Sequence, residues 1–295
     1  MVMHVPVMST EVIAYLAPGR GGVFVDCTVG LGGHAAALLA AGAERLIGLD
    51  RDAEALEVAR ATLSPWDARV DLVHADFRSL GAVLDAQGID VVDGVLADLG
   101  MSSFQLEGGG RGFSFRRDEP LDMRMDRSAG PTAAALLSEA SESALADAIF
   151  AYGEERYSRR IARAIIAGRE REPITRTAQL ASLIRRAVPR RGHQRIDPAT
   201  RTFQALRIWV NRELEGLDGF LAAAAGRLSA GRRLAVITFQ SLEDRIVKQT
   251  FRALEQPDGT ACRVLTRKPV RPSEAEASRN PRARSAKLRV LERSG

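Results

Sequence analysis

The chain has 295 residues, 45% hydrophobic and only 5% aromatic, enough for one large domain, or one domain with a second of about 100 residues, around an aliphatic core. No apolar run approaches the ~20 residues of a membrane span, the start Met1-Val2-Met3-His4-Val5-Pro6 lacks the regions of a secretory signal, and two cysteines and four scattered histidines make neither a disulfide framework nor a zinc set. The expectation is a cytoplasmic, metal-free protein, and a net charge of +5 carried by arginine favours a nucleic-acid partner without proving one.

In chain order, residues 9–17 predict a short helix leading into an apolar strand at 23–28. The stretch Asp26-Cys27-Thr28-Val29-Gly30-Leu31-Gly32-Gly33-His34 follows that strand and opens an alanine- and leucine-rich helix ending near Ala41. Glycines between strand and helix allow a tight turn and bring backbone N–H groups close to a ligand. A second strand, 45–50, ends in Asp50, about 20 residues past the turn, where an acid can accept both ribose hydroxyls of an adenosine. A helix from Asp52 to about Leu63, a strand at 70–75 ending at Asp76-Phe77, a helix around 79–87 and a strand at 91–97 ending in Asp98-Leu99-Gly100 complete the first hundred residues. Strands alternating with helices predict an α/β fold with a doubly wound parallel sheet and a ligand outside the carboxyl ends of its strands. Asp26, Asp50, Asp76 and Asp98 all fall at or near such ends.

From about Gln105 to Ala199 no buried strand is evident. Gly108 to Gly112 reads as a loop, and helices are expected at 132–138, 143–152, 155–168 and 177–188, followed by a basic, proline-broken loop over 185–195. The expected organisation is an α/β domain of residues 1–104 and 200–295, with a helical insertion at 105–199. The α/β pattern resumes with helices at 203–215 and 218–228, a strand at 233–239, and a helix from Ser241 to about Leu254. Ser241 and Asp244 match a capping box there. Two late strands, 261–266 and 287–291, flank a loop rich in Pro, Ser and Arg.

The turn also fits G-x-G-x-x-A, from Gly30 to Ala35, so a nicotinamide enzyme stays open. Two features favour S-adenosylmethionine. Asp26 precedes the turn, which suits a cofactor with an amino-acid end and no phosphate; and Asp98-Leu99-Gly100 ends the fourth strand, where amino-methyltransferases place an acid facing the transferred methyl.

Longer segments carry a more specific signal. They are Asp26 to His34, Asp98 to Leu106, Arg111-Gly112-Phe113-Ser114-Phe115, Pro120 to Asp126, Tyr152 to Arg156, Arg201 to Asn211, Ser241 to Arg245 and Asn280 to Ser285. In these, over nearly its whole length, the chain resembles the MraW (RsmH) family of ribosomal small-subunit RNA cytosine-N4 methyltransferases. The resemblance implies an S-adenosylmethionine-dependent methyltransferase (Rossmann-like) sheet, with an inserted all-helical domain that recognises substrate. It implies N4-methylation of one cytosine in the decoding region of 16S rRNA, within the small ribosomal subunit. Carried over residue by residue, the cofactor contacts fall on Gly32, Gly33, His34, Asp50, Phe77, Asp98 and Gln105, with Asp98 also the catalytic residue and no metal. It also makes the 185–195 loop, with Arg282, Arg284 and Arg289, expected phosphate contacts. Gln240 departs from the family, which usually has His there; glutamine cannot take a proton in its place. Phe104, Phe113 and Phe115 are candidates for stacking on the target base. A DNA amino-methyltransferase, a nicotinamide oxidoreductase and a non-catalytic ribosome-binding factor are the alternatives to be separated by assay.

Overall fold

A computed structural model describes residues 6–107, 109–189, 196–255 and 262–295. The chain divides into two compact units, Met1–Gly100 with Leu214–Gly295, and Met101–Glu213.

The first unit is built on a seven-stranded sheet. Its strands are β1 (Val23–Asp26), β2 (Arg45–Asp50), β3 (Val70–His74), β4 (Val92–Asp98), β5 (Leu228–Thr238), β6 (Cys262–Val264) and β7 (Lys287–Arg293), in the spatial order β3-β2-β1-β4-β5-β7-β6. The first five run parallel, whereas β7 lies antiparallel to both β5 and β6. Continuous burial in β1, β2 and β4 is what a sheet covered on both faces requires. Successive side chains alternate between the faces. Phe24, Leu46, Leu96 and Ile237 join one core with helices α1 (Ser9–Leu16), α2 (Gly33–Ala40) and α3 (Ala53–Leu63). Val25, Ile47, Val95 and Val236 join a second core with α4 (Leu80–Ala86), α11 (Leu217–Gly226) and α12 (Ser241–Leu254).

The chain winds outward from β1 to β3, then returns to β4 on the other side of β1. The order therefore reverses between β1 and β4, and a ligand crevice is expected outside their carboxyl ends. Asp26 and Asp98 end these two strands, and Asp50 ends β2 beside them.

The second unit is helical: α5 (Ser103–Glu107), α6 (Ala133–Glu139), α7 (Glu142–Gly153), α8 (Ser158–Arg169), α9 (Thr177–Ala187) and α10 (Ala199–Asn211). Its limits lie outward of the expected 105–199. Phe203 and Leu206 of α10 belong to the same core as Ile149 of α7 and Ile161 of α8, so α10 goes with the helices and not with the sheet. Much of the sequence singled out above turns out to brace this unit. Asn211 is buried; its Oδ1 accepts from Met125 N–H (2.7 Å), and its Nδ2 donates to Met123 O (2.7 Å) and Arg207 O (2.9 Å). Arg111, also buried, donates to Met125 O (2.7 Å). Gly112 has φ +71°, and a Cβ there would stand 2.3 Å from Pro120 O, so only glycine fits.

Three local expectations shift. The box that starts α12 is formed by Gln240 at the N-cap and Glu243 three residues later, one position before the expected Ser241 and Asp244. Between β6 and β7 the expected loop holds a short helix, α13 (Glu274–Arg279), capped by Ser273 accepting from Glu276 N–H. β5 begins at Leu228, five residues before the expected 233, across a register shift against β4.

Candidate active site

The turn after β1 is stitched to both neighbouring strands. Cys27 N–H donates to Leu96 O on β4 (2.8 Å), and Val29 N–H donates to Leu49 O on β2 (2.9 Å). The chain then reverses through Gly30 (φ +52°) and Gly32 (φ +86°), the latter being the N-cap of α2. At Gly32 a Cβ would be strained by φ and would press on Leu63 at 3.1 Å. Asp50 holds this turn from β2. Its Oδ2 accepts from Gly30 N–H (2.8 Å) and its Oδ1 from Asp52 N–H (2.9 Å). Each carboxylate oxygen keeps a second lone pair for a ligand hydroxyl.

Three carboxylates and one imidazole converge around the turn. Asp26 is buried; its Oδ1 accepts from Thr28 N–H (3.1 Å), and its Oδ2 has no hydrogen-bond partner within the protein. His34 is 94% buried on the first turn of α2, with Nε2 3.6 Å from Asp98 Oδ2, an ion-pair contact too long for a hydrogen bond. Asp98 Oδ1 is buried without a protein partner. Burial pushes the Asp26 carboxyl up to about 7, the Asp98 and Asp50 carboxylates adding to the effect and His34 and the Thr28 N–H opposing it. Asp50 is raised to about 6, again by burial, with the Asp52 and Gly30 N–H bonds opposing. Burial lowers His34, but the carboxylates of Asp98, Asp26 and Glu276 outweigh it, and the imidazole is raised above its ordinary value.

This charge pattern decides between the two cofactors left open by the glycines. Three carboxylates around one turn repel a pyrophosphate and attract cations. They suit a ligand with an ammonium, a sulfonium and a ribose diol, and the free acceptors Asp26 Oδ2 and Asp98 Oδ1 match its donors.

The other expected residues are placed as follows. Phe77 follows β3, capped by Asp76; its ring already meets Phe220 (4.8 Å between centroids) and lies under the Arg78 guanidinium (5.4 Å). Gln105 belongs to the helical unit on α5, buried, with Oε1 accepting from Ser102 N–H (3.1 Å). Gln240 is an N-cap residue whose amide donates to Glu243 Oε1 (2.7 Å). Arg289 is not a phosphate contact: it is buried, and its Nε donates to Asp244 Oδ1 (2.7 Å). Of the stacking candidates, Phe113 is buried in the helical core, and Phe115 packs edge-on against Phe203 (4.9 Å) under Arg185. Arg190, Arg191 and the rest of 190–195 lie outside the described residues. Among the described residues no group of three or more His, Cys, Asp or Glu could hold a metal, and no helix is long and apolar enough to cross a membrane.

Sequence reading missed three participants. Thr28 Oγ1 accepts from Asp98 N–H at 2.6 Å. Glu276 bears on His34 and accepts from Met8 N–H (2.7 Å) across 268 residues of sequence. Phe239 lies beside the end of β4, where a Cβ on Gly100 would stand 3.3 Å from its ring. Thr28 sits inside the quoted motif and could have been weighed; no local signal marks Glu276 or Phe239.

The doubly wound sheet, the stitched glycine turn and the carboxylates at three strand ends define the class, an S-adenosylmethionine-dependent methyltransferase. The model of the MraW methylase family matches residues 1–294. "Ribosomal RNA small subunit methyltransferase H" of Geotalea uraniireducens is 50% identical over 98% of this chain and 98% of its own, and the protein of the same name from Nitrobacter hamburgensis is 50% identical over 99% and 91%. The chain belongs to the MraW methylase family. Among solved structures, an rRNA methylase from Streptococcus thermophilus aligns over 100% of this chain and 99% of its own, at 12% identity and a TM-score of 0.43, too remote to bear on function.

Proposed function

We propose that the chain methylates the exocyclic N4 amine of one cytosine in the decoding region of 16S rRNA, within the small ribosomal subunit, as a cytoplasmic enzyme. The observation that carries the proposal is Asp98. It ends β4 at the reversal of strand order, with Oδ1 buried and free of protein partners. The names of the half-identical relatives support the substrate class.

The N4 amine is a poor nucleophile because its lone pair is delocalised into the ring. A residue that accepts a hydrogen bond from its N–H localises that lone pair, and the Asp98 carboxylate is the acceptor. S-adenosylmethionine, when bound, would supply the electrophilic methyl, its S–C bond breaking to leave S-adenosylhomocysteine. Asp98 then stabilises the amine as it becomes cationic, and accepts its proton once the N–C bond has formed; most of the rate comes from positioning and electrostatics. Gly32, Gly33 and His34 would contact the cofactor, Asp50 would hold its ribose, and Phe77 would stack on its adenine. The target base is unstacked at a cost of a few kcal/mol unless its loop already exposes it. The helical unit, Arg282, Arg284 and the arginines that follow α9 (Thr177–Ala187) in the expected 185–195 loop contact the RNA; Arg185 itself lies in the last turn of α9 and pairs with Asp197.

Mass spectrometry of rRNA nucleosides from cells with and without this gene tests the proposal. N4-methylcytidine should vanish without the gene, and an unchanged level sinks the reading. Within the enzyme, Asp98→Asn should lower the single-turnover rate by roughly 100-fold, comparable with removing one preorganised electrostatic group. Cofactor affinity should fall less than about tenfold, because the amide keeps one acceptor. The opposite pattern, lost affinity and an intact rate at saturating cofactor, makes Asp98 a binding residue only.

A further inference from the structure

Asp98 is gripped at two points by residues that need not touch substrate themselves. Its backbone N–H donates to Thr28 Oγ1 at 2.6 Å, tying the last residue of β4 to the turn after β1. Thr28 is fixed in turn, its own N–H donating to Asp26 Oδ1 (3.1 Å). One residue on, Leu99 N–H donates to Ile237 O of β5 (2.9 Å), so the backbone around Asp98 is held from both neighbouring strands. The side chain is held separately. His34 Nε2 faces Oδ2 at 3.6 Å, from a ring that is itself 94% buried. The two carboxylate oxygens are therefore not equivalent: Oδ2 faces His34, and Oδ1 is buried without a protein partner.

We infer that Thr28 and His34 are positioning residues for Asp98, Thr28 fixing where the residue stands and His34 fixing how its carboxylate is turned. The inference rests on the methyl-transfer reading of Asp98. It assigns Thr28 a role, and gives His34 one besides that of a cofactor contact. The physical need is plain. A hydrogen-bond acceptor that localises a lone pair must stand in line with the reacting atoms, and a displacement near 1 Å costs about 100-fold in rate. A carboxylate free to rotate about its Cβ–Cγ bond does not meet that standard. Asp26 and Glu276 add to the effect of Asp98 in raising the His34 imidazole, and Glu276 is anchored by the Met8 N–H.

Two pairs of variants and one spectroscopic measurement test this. Thr28→Val keeps the shape and removes the acceptor, whereas Thr28→Ser keeps the acceptor. His34→Phe removes the ring nitrogens, whereas His34→Gln restores a donor. With small ribosomal subunits at saturating S-adenosylmethionine, Thr28→Val and His34→Phe should each slow single turnover by about tenfold or more. Thr28→Ser should stay within about threefold of wild type, and His34→Gln should fall between wild type and His34→Phe. Affinity for S-adenosylhomocysteine, read by calorimetry, should change by less than about threefold in the Thr28 pair. Independently of activity, NMR titration of the cofactor-free protein should show His34 titrating above its ordinary value, and lower in Asp98→Asn than in wild type. Wild-type rates at saturating cofactor in both Thr28→Val and His34→Phe overturn the inference. So does a His34 titration indifferent to Asp98→Asn. Should Thr28→Val fail to fold, the His34 pair and the titration decide without it. A wild-type protein that transfers no methyl to the subunit overturns the functional reading instead, and the titration still judges the contact between His34 and Asp98.

Discussion

Asp26 and Asp50 carry, in the folded chain, protons that an unfolded aspartate gives up near 3.8. Between that pH and about 7 for Asp26, or about 6 for Asp50, the folded state binds a proton the unfolded chain has lost. Stability then falls as pH rises, by about 1.4 kcal/mol per pH unit for each such group. The raised imidazole of His34 acts in the same direction above its ordinary value, its contribution being lost as pH rises through its folded pKa. The paired carboxylates of Asp76, Asp122 and Asp244 are lowered, so their contribution is lost only at more acidic pH. The cofactor-free protein should therefore melt higher at pH 5 than at pH 7. Asp26→Asn should flatten that trend and melt above wild type at pH 7, while binding cofactor more weakly. Thermal scans across this range check it, and a variant as pH-sensitive as wild type argues against a buried, protonated Asp26. Asp50→Ala should weaken cofactor binding by about 1.5–3 kcal/mol, the range for hydrogen bonds to a charged group. Asp50→Asn should lose less, since its remaining oxygen can still accept from Gly30 or Asp52. Calorimetry showing unchanged affinity in Asp50→Ala would remove it from the ribose site.

The junction of β1 and β4 sets the site's geometry, and its packing leaves no slack. Gly94 of β4 pairs with Phe24 of β1, and a Cβ at Gly94 would stand 2.5 Å from two carbons of that ring. Gly94→Ala should destabilise the protein by about 1–3 kcal/mol, the usual cost of overpacking a filled core. Phe24→Leu in the same chain should recover part of the loss, a coupling that urea unfolding of the four-member cycle would measure. Additive losses would place the strain elsewhere. At the start of α12 two capping boxes overlap in the sequence, Gln240 with Glu243 and Ser241 with Asp244. Tertiary partners select the first. Asp244 is engaged by Lys287 (3.1 Å) and Arg289 (2.7 Å) of β7, leaving Glu243 to accept from the N–H groups of Phe239 and Gln240.

The net charge is +5, and several arginines are committed within the fold. Arg289 pairs with Asp244, Arg207 with Glu213 and Arg124 with Asp122. On the proposed reading, Arg190 and Arg191, adjacent in sequence, are the candidates for phosphate contacts, whereas Arg185 in the last turn of α9 pairs with Asp197 (2.9 Å). Reversing Arg190 and Arg191 to Glu should weaken binding to the small subunit and reduce the salt slope by about 1–2, since each phosphate contact on a single strand contributes about 0.7. Cofactor affinity should hardly change. An identical slope in the mutant rules both residues out as phosphate contacts.

The sequence by itself determined the alternation of strands and helices, the glycine turn, and the acids at Asp26, Asp50 and Asp98, because each is written locally: an apolar run, a turn that needs positive φ, a carboxylate at a strand end. It also marked Arg111, Pro120 to Asp126 and Asn211 as special, without saying that these residues hold the helical unit together through Asn211 and Arg111. Only the tertiary structure decided how the Asp98 carboxylate is turned, since that depends on His34 approaching it from another element. It alone assigned α10 to the helices, where Phe203 and Leu206 find their core, and withdrew Arg289 from the surface. It alone brought Glu276 to His34 and Thr28 to Asp98. Such contacts join residues tens to hundreds of positions apart, and their energy depends on burial and distance, which no local pattern in a chain encodes.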